Sequence, residues 1–250
     1  MTASAKSVAL VTGAGSGIGH AIASRLIADG VHVLAVDLDF AAVGIGTPFK
    51  VDLSTREGNR EAVQAALDTF GRLDLVVANA GFQHVSPIAD FDEDRWDALL
   101  SILLTSPFLL AKYGWPALAA APNGGRFIAI ASAHALAASP YKAGYVSAKH
   151  GVLGLVKTLA LEGASVGITA TAVCPGYVRT PLVEKQIADQ ARVHGMSEER
   201  VLEEVILAPH AVKRLIEPAE VADVVAFLAG PGGRSFTGVP VTMDQGWTAR

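Results

Sequence analysis

The sequence has one cysteine, three tryptophans and no block of like charge, and each shortage excludes something. Cys174, standing alone, rules out an internal disulfide and a cysteine-rich metal site, and it fits a reducing compartment. Charged residues make up 18% of the chain, the formal net charge is −4, and no basic tract exists, so a nucleic-acid surface is not expected. No Asp, Glu and His group has metal-ligand spacing, so no catalytic metal is expected. The first residues reach strand-like sequence without a charged region followed by a long apolar one, which argues against a signal peptide. The longest apolar run, 98–121, is interrupted by Pro107, Lys112, Gly114 and Pro116; it suits a helix buried by protein better than one crossing a bilayer. Together these absences predict a cytoplasmic protein without membrane partners.

What is present is an apolar chain, 51% hydrophobic over 250 residues, long enough for one sizeable core. Apolar β-rich runs occur at 7–13, 31–37, 49–53, 73–81, 125–132, 167–176 and 238–246, most of them separated by helical patterns. Continuously apolar strands separated by helices predict an α/β fold: a doubly wound parallel sheet with helices on both faces, in a single domain spanning 1–250. Only residues 38–48 lie between the second and third strands, too few for a helical crossover, so an irregular loop is expected there.

The segment "TGAGSGIG" (12–19) joins the first strand to the first helix. A glycine-rich turn there lets backbone N–H groups and a helix N-terminus face a pyrophosphate. Gly13 makes the turn, Gly17 allows close backbone approach, and Gly19 allows tight helix–strand packing. Asp37 closes the second strand 18 residues after Gly19. A carboxylate there accepts from ribose hydroxyls and repels a 2′-phosphate, and "LAVDLDFAAVG" offers no cation for one, so NAD is expected over NADP.

In "SPYKAGYVSAKHG" (139–151), Lys142, Tyr145 and Lys149 are spaced i, i+3 and i+7, one stripe if all three are helical. A free phenol, with a pKa of about 10, is a poor base at neutral pH. An ammonium one turn away favours the phenolate, so Tyr145 is the candidate general base and Lys149 its activator. Ser132, at the carboxyl end of a strand 13 residues upstream, is placed to hydrogen-bond a reacting oxygen. Lys142, one turn before the base, is suited to an anionic substrate group, and His134 and Gln83 are polar residues suited to the same task.

The TGxxxGxG spacing resembles the short-chain dehydrogenase/reductase family. "NAG" (79–81), Ser132 closing "RFIAIAS", "YVSAK" (145–149) and "PGYVRT" (175–180) stand in that family's order over the full chain. The resemblance implies that Ser16, Ile18, Asp52, Leu53, Asn79, Pro175, Gly176, Val178 and Thr180 join the glycines and Asp37 around the cofactor. It also implies that Lys149 holds the nicotinamide ribose, and that 98–121 and 142–163 pack in a homotetramer. Gln83-His84, "SAHA" around His134, Lys142 and "GYVRTPLVEKQI" (176–187) are similar to one group of the family, the bacterial D-3-hydroxybutyrate dehydrogenases. That similarity implies that Gln83, His134, Lys142 and Gln186 hold a substrate carboxylate beside Ser132 and Tyr145. It further implies a helical substrate lid over 181–207, and Trp247 near the pocket or a subunit contact. The expected reaction is hydride transfer between NAD and a small 3-hydroxy acid such as (R)-3-hydroxybutyrate. The alternatives are another secondary alcohol such as a polyol, or NAD binding without turnover. One position departs from the family: Leu103 stands where an asparagine usually marks a helix kink whose freed carbonyl holds a relay water. Pro107, four residues on, cannot donate to the Leu103 carbonyl, so the expectation is that it frees the same acceptor.

Overall fold

Alternation along the first strand divides the interior in two. Val8 and Leu10 face one side, Ala9 and Val11 the other, and all four are buried. A strand buried on both faces needs helices above and below it. The computed structural model describes residues 6–40 and 45–249. Among these, seven parallel strands form one sheet: β1 (Val8–Thr12), β2 (His32–Asp37), β3 (Thr47–Lys50), β4 (Leu75–Ala78), β5 (Arg126–Ile130), β6 (Thr169–Pro175) and β7 (Pro240–Met243). Their order is β3-β2-β1-β4-β5-β6-β7, so the chain reverses direction across the sheet between β1 and β4. Ligands of such sheets collect outside the strand carboxyl ends at that reversal.

One core joins the sheet to α1 (Gly17–Ala28) and α8 (Pro218–Ala229) through Ile22, Leu26, Val221 and Val225. The other joins it to α2 (Arg56–Phe70), α4 (Ser106–Ala119) and α5 (Ala143–Gly163) through Val63, Leu110, Phe127 and Val152. Each fully buried side chain of the size of Phe127 or Leu110 contributes roughly 1.5–3 kcal/mol relative to exposure. The stretch Glu93–Ala119, made of α3 (Glu93–Leu100), a π-turn and α4, is long and apolar enough to cross a membrane, but its Leu110, Ala111 and Leu118 are buried in this second core. The region 181–207, expected to form a helical lid, contains α6 (Pro181–His194) and α7 (Glu198–Val201), running into a π-turn at Leu202–Ile206. Ile187, Val201, Ile206 and Leu215 give it a small apolar cluster separate from the sheet cores.

Two expectations are corrected. The third strand is Thr47–Lys50, not 49–53; Asp52 instead turns the chain toward α2, its Oδ1 accepting the Ser54 N–H at 2.8 Å. Pro48 therefore lies inside β3, which it can do because β3 is an edge strand. Of the irregular loop expected over 38–48, residues 41–44 lie outside the described residues. The second correction concerns the helical stripe. α5 begins at Ala143, so Lys142 precedes it with φ −122° and ψ 33°, and only Tyr145 and Lys149 share the helix face.

Candidate active site

At the reversal, Thr12 ties β1 to β4. Its Oγ1 accepts the Asn79 and Ala80 N–H groups at 2.9 and 3.0 Å, while Asn79 Nδ2 donates to the Thr12 carbonyl at 2.9 Å. The chain then turns through Gly13 (φ +65°) and Gly17 (φ +53°), a left-handed backbone that side chains disfavour. A Cβ at Gly13 would stand 2.7 Å from Asn79 Nδ2, and one at Gly19 would collide with the Gly13 carbonyl. Asp37 fastens the turn from the other side: its Oδ2 accepts the Gly15 N–H at 2.8 Å. Bare backbone, the N-terminus of α1 and a carboxylate at the end of β2 form a cradle that fits the pyrophosphate and ribose of a dinucleotide.

This cradle opens into a cavity of about 420 Å³. Gly13, Ser16, Gly17, Ile18, Asp37, Leu53 and Asn79 line its cofactor end; Pro175, Gly176, Val178 and Thr180 close it from the β6 side. Gly19 and Asp52 do not border it. Gly19 is packed against the Gly13 carbonyl, and Asp52 is spent on the turn described above.

Deeper in the cavity stand Ser132, Tyr145 and Lys149. Ser132 caps a short turn, its Oγ accepting the His134 N–H at 3.1 Å. The Lys149 ammonium lies 5.5 Å from the Tyr145 ring centroid and donates to the Ile130 carbonyl at 2.7 Å. Burial brings the Lys149 pKa down to about 8. Burial also dominates at Tyr145, pushing the phenol up to about 12 against a hydrogen bond from Ser132 that pulls it back. This direction is opposite to the acidification expected from Lys149, and its largest cause is burial of the phenol. Buried Cys174 lies behind them, its thiol pushed up to about 11 by burial.

At the other end, Lys142 is buried although it precedes the helix. Tyr141 makes this possible by adopting φ +67°, which costs a non-glycine residue roughly 1–2 kcal/mol and turns the chain inward. The Tyr141 carbonyl is held by the Ser86 N–H at 2.9 Å. Lys142 Nζ donates to the Tyr177 hydroxyl at 3.0 Å and lies 5.1 Å from that ring's centroid. Gln83 and Gln186 line the same cavity, and among the described residues the Nε2 of each is buried without a hydrogen-bond partner. An ammonium and two unsatisfied amide donors make an acceptor-seeking pole. His134 lines the cavity too, but both its ring nitrogens are engaged: Nδ1 with Ser132 Oγ at 3.3 Å and Nε2 with Ser139 Oγ at 3.0 Å. Burial, then the nearby Lys142, lowers its pKa to about 3, so it brings no positive charge to a carboxylate. Trp247 borders the cavity and meets the His134 ring edge to face at 4.8 Å.

Where a kink is expected before Pro107, a π-turn runs over Ser101–Thr105. Leu103 inside it is buried and packs with Leu99, Ala148 and Tyr145. It also demands Gly81, because a Cβ there would overlap Leu103 Cδ2. Sequence reasoning missed Thr12, Tyr177 and Ser139. Tyr177 stands inside "PGYVRT", and that membership was the one available signal.

A family model described as enoyl-(acyl carrier protein) reductase matches residues 13–248. The chain is 41% identical to the D-beta-hydroxybutyrate dehydrogenase of Rhizobium meliloti (strain 1021), over 97% of this chain and 98% of that one. It is 38% identical to the D-beta-hydroxybutyrate dehydrogenase of Cupriavidus necator, with the same coverage. Among solved structures, ligand-free aldohexose dehydrogenase from Thermoplasma acidophilum matches with a TM-score of 0.91 at 27% identity, covering 98% of this chain and 95% of that one.

Proposed function

The chain belongs to the short-chain dehydrogenase/reductase family, and within it we propose an NAD-dependent dehydrogenase that interconverts a small 3-hydroxy acid, (R)-3-hydroxybutyrate foremost, with its 3-keto acid. The observation that carries this reading is the buried ammonium of Lys142 facing a cavity in which Gln83 and Gln186 each hold an unpartnered donor. A carboxylate satisfies all three, and Tyr177 adds a hydroxyl already hydrogen-bonded to the ammonium. Ser132 and Tyr145 hold the reacting oxygen and take its proton, while Lys149 supports the cofactor ribose. The nicotinamide, when bound, supplies the hydride acceptor. Asp37 supports NAD over NADP, since its charge stands where a 2′-phosphate would come.

Assembly as a homotetramer is part of the same reading, supported by exposed Phe108 on α4 and by Leu161 on α5, the latter 82% exposed. Size-exclusion chromatography with light scattering checks it. A cytoplasmic location is supported by the lone, buried Cys174.

The test is steady-state NAD reduction across (R)- and (S)-hydroxy acids and neutral secondary alcohols, in wild type and Lys142→Ala. The wild type is expected to prefer an (R)-3-hydroxy acid. Lys142→Ala should raise KM for that acid about 30-fold or more, since removing one partner of a buried charged contact costs about 2 kcal/mol or more. A neutral alcohol should lose little. Equal losses for acid and alcohol, or a wild-type preference for a polyol, would overturn the carboxylate reading in favour of another secondary alcohol.

A further inference from the structure

We propose that Tyr177 separates acids from neutral alcohols in this cavity: its oxygen fixes the Lys142 ammonium, and its own O–H is given to the substrate carboxylate. The proposal deepens the 3-hydroxy-acid reading and rests on it. The local sequence aims the ring. Gly176 sits where a Cβ would stand 3.1 Å from His210 Nε2 and 3.2 Å from the Asp244 Cα, so the chain leaves β6 through a slot too tight for an ordinary side chain. Val178 then forms a parallel bridge with Ile216. The Ile216 N–H donates to the Tyr177 carbonyl at 2.9 Å, and the Arg179 N–H donates to the Ile216 carbonyl at 2.8 Å. The Tyr177 ring packs against buried His210 at 5.8 Å and Trp247 at 6.4 Å, and those two rings stack on each other at 5.7 Å. A phenol held through both its backbone and its ring is a fixed post.

A lysine needs such a post, because its charge rides on a flexible four-carbon stem. Among the described residues the Lys142 ammonium has one hydrogen-bond partner, the Tyr177 hydroxyl at 3.0 Å, and it lies 5.1 Å from that ring's centroid. An ammonium has three donors, so two remain for a ligand. The Tyr177 oxygen accepts from Lys142 and keeps its own O–H, which meets no acceptor among the described residues. Tyr177 lines the cavity beside Gln83 and Gln186, whose buried Nε2 atoms also lack a partner.

The donors decide what fits. A carboxylate presents about four lone-pair sites and no donor, whereas a neutral hydroxyl presents two and brings a donor of its own. A carboxylate can therefore accept from the ammonium, the phenol and both amides together. A hydroxyl in its place leaves at least one of them unmatched, and its own proton finds only other donors. A buried polar group left without a bond costs more than a made bond gains, so the phenol O–H sharpens rejection of neutral analogues more than it strengthens the acid's binding. The carboxylate is the non-reacting end of the substrate. A bond to it is the same in substrate and transition state, so its loss belongs in KM rather than kcat.

Tyr177→Phe keeps the ring against His210 and Trp247 and removes only the hydroxyl. With (R)-3-hydroxybutyrate it should raise KM about ten-fold or more and leave kcat near wild type, so that kcat/KM for the acid relative to a neutral secondary alcohol falls by the same factor. A second measurement is independent of turnover: acetate titrated calorimetrically into the protein with NAD present should bind about ten-fold more weakly to Tyr177→Phe than to wild type. In a Lys142→Met background, Tyr177→Phe should change KM for the acid by about three-fold at most, because the two residues act on one carboxylate as a unit. The proposal is overturned by wild-type KM and acetate affinity in Tyr177→Phe, by equal losses for acid and neutral alcohol, or by full additivity with Lys142→Met. The two readings fail differently. Indifference of the acid's KM to Lys142→Met would strike down the carboxylate reading and this proposal with it, whereas sensitivity to Lys142→Met with indifference to Tyr177→Phe would strike down this proposal alone.

Discussion

Tyr145 stands between two unlike walls. On one it packs with Leu99, Leu103 and Ala148, all buried and all apolar. On the other it meets the His134 ring edge to face at 5.8 Å, and that ring's nitrogens are engaged by Ser132 and Ser139. The contrast shows that one ring can be dry on one face and lie beside a fixed imidazole on the other. Burial raises the phenol to about 12, and Ser132 opposes that rise.

The most severe way to break the comparison is to remove the group both walls share. Tyr145→Phe should reduce alcohol oxidation about a thousand-fold in the NAD reduction assay while leaving thermal stability close to wild type. Oxidation at the unaltered rate would end the role assigned to this residue.

The next effect, smaller and opposite in sign, concerns the lysine. An unfolded lysine titrates near its ordinary 10.5, whereas Lys149 in the folded chain titrates at about 8. Below pH 8 both states are protonated, and the folded protein bears the full penalty of a buried charge. From pH 8 to 10.5 the folded state loses its proton first, so this contribution to stability rises with pH across that window. Lys149→Met should therefore abolish turnover yet stabilise the chain by about 2 kcal/mol at pH 7, after allowing for the lost Ile130 hydrogen bond. Urea denaturation at pH 7 and pH 10 checks it, and the advantage should shrink at the higher pH.

The smallest effect sharpens the comparison at the kink. Pro107 lacks the N–H that would otherwise bond the Leu103 carbonyl, so Pro107→Ala should lower turnover at low pH and leave it near wild type at neutral pH. Turnover equal to wild type across the pH range would remove the role assigned to that carbonyl.

Much of this was legible because it is local. The glycine turn, Asp37, Ser132 and the Tyr145–Lys149 pair are short motifs whose spacing carries their geometry, and the apolar runs marked six strands well. β3 was misplaced because it is an edge strand with alternating exposure, and the apolar run that marked it continues into a turn. Contacts between distant residues were not legible. Tyr177 lies 35 positions from Lys142, and its hydroxyl reaches that ammonium only because Tyr141 adopts a left-handed backbone. The burial that raises the phenol was not legible for a related reason. Spacing reveals the neighbouring charge, but desolvation depends on how Leu103 and its neighbours close over the ring.

On the proposed NAD reading, the bond between Asp37 and the Gly15 amide makes coenzyme preference and loop shape one property rather than two. A protein engineer who neutralises that carboxylate to admit a phosphorylated dinucleotide also unties the turn that receives the diphosphate. Any redesign has to provide that amide with another acceptor, and a lone substitution at this position does not.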